Sequence, residues 1–593
     1  MRVIRLNGLK LTLEEQEECL PAKAALALGM PAESIVSLSV IKRALDARRN
    51  RPPHFVYAVK ISLNDDADLP KILPEGIRME PFFDEPDIEP ASTESDVPRR
   101  VDGVAITSLS LRAPAGSAAI SLLSDRHEIA SVAALPRNDI TKQSPHGRCE
   151  APEGEKLPVV VVGSGPAGLF AAYTLAISGI PVLLLERGRS VEKRAADVRS
   201  FWEEGLLKPE SNVLFGEGGA GTFSDGKLTS RTKNPYAGWV KSVLVEMGAP
   251  LSILTDAKPH IGTDRLRQVI INLREKLISL ECDIRFEALV TDLIIRQDKM
   301  AAVAVNGREE IRAKQVILAI GQSADDTYGI LNHRGVKMEP KPFAIGLRVE
   351  HPQSLINTIQ YGQWSKHPKL PPAEYFMTAA VREKNRSVYT FCMCPGGQVI
   401  GCSAFPGLVV TNGMSNHKRS GEFANSAVVA NVRVDDFAKT GEPLCGLAFR
   451  RACEKKAFEA GGGNYSAPAQ KLSEFVKQKF SGVVGRTSFL PGVKAARLSE
   501  VLPDFTADAL RQGILQFGRN MPGFISQEAH LIGVETRTSS PVRICRGSDG
   551  QSENIRGFYP CGEGAGYAGG IISSALDGIK AAKSVMAATN GCR

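Results

Sequence analysis

Between Leu157 and Leu185 the chain carries no charged residue, and about twenty such residues in a helix would span a bilayer. Gly163, Gly165, Pro166, Gly168, Gly179 and Pro181 interrupt the run and leave Val159–Val162, 167–178 and Val182–Leu185 as strand, helix and strand. Parallel strands covered on both faces read as continuous hydrophobics. The run therefore predicts a buried βαβ unit and no membrane span. Upstream, apolar periodicity predicts a strand at 3–6, a helix at 12–28 and strands at 35–44 and 55–62, a small α/β domain over residues 1–75 for which a ferredoxin-like arrangement is one form. From Met79 to Pro98 the chain turns acidic and rich in Pro and Ser, 101–135 is rich in Ala and Ser, and 136–156 is polar. Residues 76–156 therefore read as linker and irregular structure.

Composition narrows the class without choosing a reaction. The 593 residues are 43% hydrophobic and 23% charged, enough apolar material for more than one core. Eleven scattered cysteines lack the density of a disulfide framework, and the N-terminus lacks a secretory pattern, so a reducing cytoplasm is expected. A net charge of +8 permits anionic partners without demanding nucleic acid. The segment 42–51 holds Lys42, Arg43, Arg48, Arg49 and Arg51 against Asp46 alone. It reads either as a grip on phosphates, RNA included, or as a solvated hairpin edge.

Gly163, Gly165 and Gly168 form GxGxxG directly after a strand, with Pro166 and Ala167 opening the helix. The first glycine permits the tight turn, the second admits a pyrophosphate, and the third lets helix and strand pack closely. The helix N-terminus then offers free N–H groups and a positive dipole end. Glu186 and Arg187 follow the next strand, where a carboxylate can accept ribose hydroxyls.

Two further segments decide between dinucleotides. Residues 212–228 carry Gly216, Gly218, Gly219, Gly221 and Gly226 outside any strand-to-helix setting, which suggests backbone lying against a flat or anionic ligand. Residues 557–579 read as strand, glycine loop and helix, with Gly562 and Glu563 in the loop and a helix N-terminus near Gly569, Gly570 and Ile571. An isolated NAD site needs neither, whereas FAD uses both.

These segments, with 258–264 (KPHIGTD), 316–322 (VILAIGQ), 391–397 (FCMCPGG), 411–415 (TNGMS) and 535–541 (ETRTSSP), resemble the bacterial and plastid family of uncharacterised FAD-dependent dehydrogenases. These are NAD(P)/FAD-dependent oxidoreductases with a glutathione-reductase type of FAD domain. The resemblance covers Val159 to Lys583 and the small N-terminal domain, but not the long stretch 101–156. It implies FAD as cofactor, with Gly163, Gly165 and Gly168 at the pyrophosphate, Glu186 and Arg187 at the adenosine ribose and Val290 near adenine. It also implies Gly218, Gly219, Ala220, Gly221 and Thr222 beside the isoalloxazine, Gly321 ending a strand, Gly562 and Glu563 at the ribityl chain, and Gly569, Gly570 and Ile571 at the flavin ring. The expected fold is α/β: a discontinuous Rossmann-type domain over 157–340 and 501–593, with an inserted α+β cap over 341–500.

Catalytic candidates are Cys392 and Cys394, as a dithiol, a nucleophile or buried packing, or as half of a metal set that no second pair completes. His260 offers a proton near neutral pH or a structural role, and Lys227 a positive charge at the flavin or a solvated lysine. Arg348, Arg497 and Arg537 are expected mainly to pair with surface carboxylates. Outside the glycine segments 212–228 and 557–579 no second GxGxxG follows a strand, so NAD(P)H is expected as a transient donor, with a protein donor or a direct substrate as alternatives. The reaction expected is hydride transfer through flavin N5. The competing readings are a flavoprotein acting on RNA and a non-catalytic FAD-bound scaffold.

Overall fold

A computed structural model of the chain describes residues 2–48, 51–64, 69, 70, 72–82, 157–230, 232, 234–438 and 441–590. Most of the acidic run and all of 101–156 lie outside the described residues.

Val159–Val162 is the centre of a five-stranded parallel sheet, between Val182–Leu185 and Val316–Leu318, with Asp283–Arg285 and Phe558–Pro560 at the edges. All residues of the two strands in the uncharged run are buried. One face is covered by the helix Pro166–Ile177, on which the helix Ile571–Asn590 packs. The other is covered by an antiparallel ribbon of Val290–Arg296, Lys299–Val305 and Glu309–Arg312. No helix among the described residues is long and apolar enough to cross a membrane.

The inserted domain is an eight-stranded, largely antiparallel sheet in which Phe343–Pro352 lies between Phe423–Val432 and His530–Glu535. The sheet therefore continues to Glu535, past the boundary expected at 500. Helix Asp504–Asn520 buries Ala507, Leu510, Ile514 and Phe517 against it. An apolar stripe identifies a buried face but not the sheet that buries it.

Near the N-terminus, the strand order is Ile35–Asp46, His54–Leu63, Arg2–Thr12, Arg78–Pro81, all neighbours antiparallel. With one crossover helix this is the strand order of a ferredoxin-like unit, and no helix lies among the described residues of the second crossover, 64–77. The first helix spans Leu20–Leu28 with Pro21 in its first turn, not 12–28. Leu9 and Leu11 instead continue the alternation of the first strand and pair with Tyr57 and Phe55.

Candidate active site

A cavity of about 640 Å³ opens at the C-terminal ends of the parallel strands, and part of its wall comes from the inserted domain. Gly163, Gly165, Pro166 and Ala167 line it. Gly168 lies behind them and serves packing: a methyl group there would meet the Gly163 carbonyl oxygen at 1.8 Å.

Glu186 also lines the cavity, yet its carboxylate is engaged by the protein. One oxygen accepts from the Ser164 amide (2.9 Å) and hydroxyl (2.7 Å), the other from the amides of Gly188 (2.9 Å) and Gly216 (3.0 Å). Four donors fill the four lone-pair directions of a carboxylate, so in this arrangement Glu186 ties the two glycine segments together. Arg187 lies over the Phe215 ring at 4.0 Å and pairs with Asp326 at 2.7 Å.

The second glycine segment meets the first directly, since a methyl on Gly219 would reach Gly165 Cα at 3.0 Å. Gly219, Ala220 and Gly221 face the cavity, while Gly218 and the buried Thr222 stand behind them. The segment is pinned by fully buried Arg194, which donates to the carbonyls of Asn212 (2.8 Å), Val213 (2.9 Å) and Glu217 (2.6 Å). Sequence reasoning missed this residue because one arginine in a polar helix carries no local signal.

Val290 and Gly321 also line the cavity. So do Gly562, Glu563, Gly569, Gly570 and Ile571, and the N-terminus of the twenty-residue helix Ile571–Asn590 therefore faces the same space as that of Pro166–Ile177. Two helix N-termini supply two positive dipole ends. A methyl added at Gly321, Gly569 or Gly570 would meet no protein atom within 4 Å. Burial raises the Glu563 carboxyl to about 7, and it accepts from Gln322 Nε2 at 3.2 Å. The backbone cradles and paired helix ends fit an extended dinucleotide.

Of the catalytic candidates, Cys392 and Lys227 line the cavity. Cys394 is buried behind Cys392. His260 does not line the cavity, although its backbone bridges to Lys227: its ring stacks on His417 at 5.4 Å and its Nε2 lies 3.0 Å from the His417 carbonyl oxygen, with burial holding it below its ordinary range. Lys227 sits 3.9 Å from buried Asp225, which Arg419 also pairs.

The arginines correct the expectation of surface pairing. Arg348 is fully buried against Glu535 at 3.1 Å, and Arg537 pairs with buried Glu454 at 2.9 Å while lining the cavity. Only Arg497 pairs near the surface, with Glu500 at 3.9 Å. Asn412, Gln322 and Glu535 complete the polar wall; they belong to segments noticed in the sequence, but nothing local marked them as polar lining. In the basic segment, Arg43 is engaged by Asp256 at 2.9 Å and Arg48 by Asp46.

Comparison with known proteins agrees with this geometry. Residues 156–200 match an FAD binding domain, 342–538 match the FAD-dependent protein C-terminal domain-like family, and 3–62 match a domain of unknown function. An uncharacterised protein of Clostridium beijerinckii is 39% identical over 586 residues, 98% of either chain. Among solved structures, a geranylgeranyl bacteriochlorophyll reductase-like protein of Thermoplasma acidophilum is 13% identical with a TM-score of 0.33, covering 73% of this chain and 79% of its own. Halogenase PltM L111Y in complex with FAD is 12% identical with a TM-score of 0.34, covering 74% and 71%. Likeness at that level carries no argument about this chain.

Proposed function

Because this chain belongs, with the Clostridium beijerinckii protein, to a family of FAD-dependent proteins and has FAD as its cofactor, we propose that it is an oxidoreductase of the dehydrogenase or reductase type. The observation that carries the reading is a single cavity in which two glycine segments and two helix N-termini meet a polar wall from the inserted domain.

Bound FAD supplies two-electron chemistry, taking up and giving out a hydride at N5. The residues of this chain bind, orient and balance charge. With FAD bound, the N-terminus of Pro166–Ile177 would meet the pyrophosphate and that of Ile571–Asn590 the flavin pyrimidine. Lys227, on the cavity wall, would oppose the negative charge left on a reduced flavin. Glu563, raised to about 7, holds a proton at its carboxyl around neutral pH. Tyr389, Phe391, Asn412 and Arg537 form the side against which a substrate or a transiently docked nicotinamide lies. A donor bound there needs no second Rossmann unit.

Anaerobic mixing of holoprotein with NADH, and separately with NADPH, tests the reading. Loss of the oxidised-flavin absorbance with one of them supports a nicotinamide donor. Unchanged absorbance with both removes that donor and leaves a protein or the substrate as the source of electrons.

A further inference from the structure

The strand Arg386–Gly401 is irregular where it reaches the cavity. Its register against Phe423–Val432 shifts between Phe391 and Cys394 and again between Cys394 and Gly397. Between these points Cys392 has φ +47°, a left-handed conformation that is uncommon for residues with a Cβ and that gathers at functional sites. In a regular strand the two cysteines would share one face. The bulged backbone instead puts Cys392 on the cavity wall and leaves Cys394 wholly buried behind it. The Cys394 thiol donates to the Cys392 carbonyl at 3.4 Å, and both cysteines are free.

The surroundings distinguish the two sulfurs. Arg348 Nη1 donates to the Cys392 carbonyl at 3.2 Å, and the charged groups facing the pair are Lys227, Arg348, Asp225, Glu535 and Glu563. The neighbouring Cys394 side chain, aided by Lys227 and Arg348, outweighs burial and brings the Cys392 thiol down to about 6. The same proximity, with burial, pushes Cys394 up. One accessible thiolate beside one buried thiol is the asymmetry of an attacking and a resolving sulfur.

We propose that Cys392 and Cys394 form a redox-active dithiol that exchanges two electrons with the bound FAD, Cys392 being the sulfur open to a thiol or disulfide substrate in the cavity. In the oxidising direction the Cys392 thiolate and the Cys394 thiol join in one S–S bond. Two electrons and the Cys394 proton leave the sulfurs, and FAD becomes FADH⁻. The reverse cleaves the bond and restores thiolate and thiol, so neither direction needs another oxidant or reductant. The proposal rests on the flavin-oxidoreductase reading above.

The test starts by measuring flavin released from holoprotein, in wild type, Cys392→Ser and Cys394→Ser. Each is oxidised with diamide, freed of it, and titrated anaerobically with dithionite. The proposal expects wild type to take up two more electrons per flavin than either variant, and a peptide map to find 392 and 394 joined and closed to iodoacetamide only in oxidised wild type. In apoprotein, the rate of Cys392 alkylation should rise with an apparent pKa near 6, moving upward in Cys394→Ser. Equal electron uptake in all three proteins, with both sulfurs alkylated after oxidation, overturns the proposal. Absence of FAD from wild type overturns the flavin reading itself, and this exchange with it.

Discussion

Glu350 is 1% exposed and raised to about 7 by burial, although the Ser488 amide donates to it at 2.9 Å. Its unfolded value is 4.5, so from about pH 4.5 to about 7 the folded state keeps a proton that the unfolded state has lost. Stability then falls as pH rises through that window and levels off above it, by a sum on the order of 3 kcal/mol. Glu350→Gln removes the titration. Its thermal midpoint should gain on wild type as pH rises from about 4.5 to about 7 and hold the gain at about pH 8. A difference that does not change with pH would show that Glu350 is ionised in the folded protein. At this scale the sequence was readable where backbone freedom was at stake: Gly163 has φ +99° and Gly562 φ +74°, and both line the cavity. Side-chain partnerships were not readable. Which donors reach Glu186, or which carboxylate meets Arg348, depends on residues up to 187 positions apart, and such pairings leave no mark on local spacing.

The contact between the helices Pro166–Ile177 and Ile571–Asn590 joins the two ends of the discontinuous domain. Gly578 lies so close to the first helix that a methyl on it would stand 2.0 Å from the Ala167 carbonyl oxygen. Gly578→Val must part the helices and tilt both N-termini away from the cavity. The expected cost is at least about 1–3 kcal/mol, read as a lower thermal midpoint together with loss of bound FAD on gel filtration; unchanged FAD content and midpoint would contradict this packing. The βαβ unit was legible because uncharged strands and punctuating glycines coincide over a short stretch. The helix expected over 12–28 was misread because Thr12 ends a strand whose alternation, Leu9 and Leu11, blends into the apolar positions of the following helix. The inserted domain's far boundary was misplaced because the sheet partner of His530–Glu535 lies nearly two hundred residues earlier, at Phe343–Pro352.

Over the whole molecule, the N-terminal sheet is attached to the FAD-binding body through Arg43, whose amide donates to the Thr255 carbonyl at 2.8 Å and whose carbonyl accepts from the Ala257 amide at 2.8 Å. Part of the basic edge that suggested phosphate binding is thus engaged in holding the chain together. The functional centre lies elsewhere, where the parallel sheet and the inserted domain enclose one cavity, and the account stands on that cavity being the seat of FAD. Gly569 gives the cleanest test: its backbone is not left-handed, and a methyl added there meets no protein atom within 4 Å. Titrating apoprotein of wild type and Gly569→Leu with FAD, by flavin fluorescence quenching, tests the assignment most directly. The account predicts an unchanged thermal midpoint of the apoprotein with at least a tenfold weaker Kd, about 1.4 kcal/mol. Binding of FAD to the variant at wild-type affinity would contradict it.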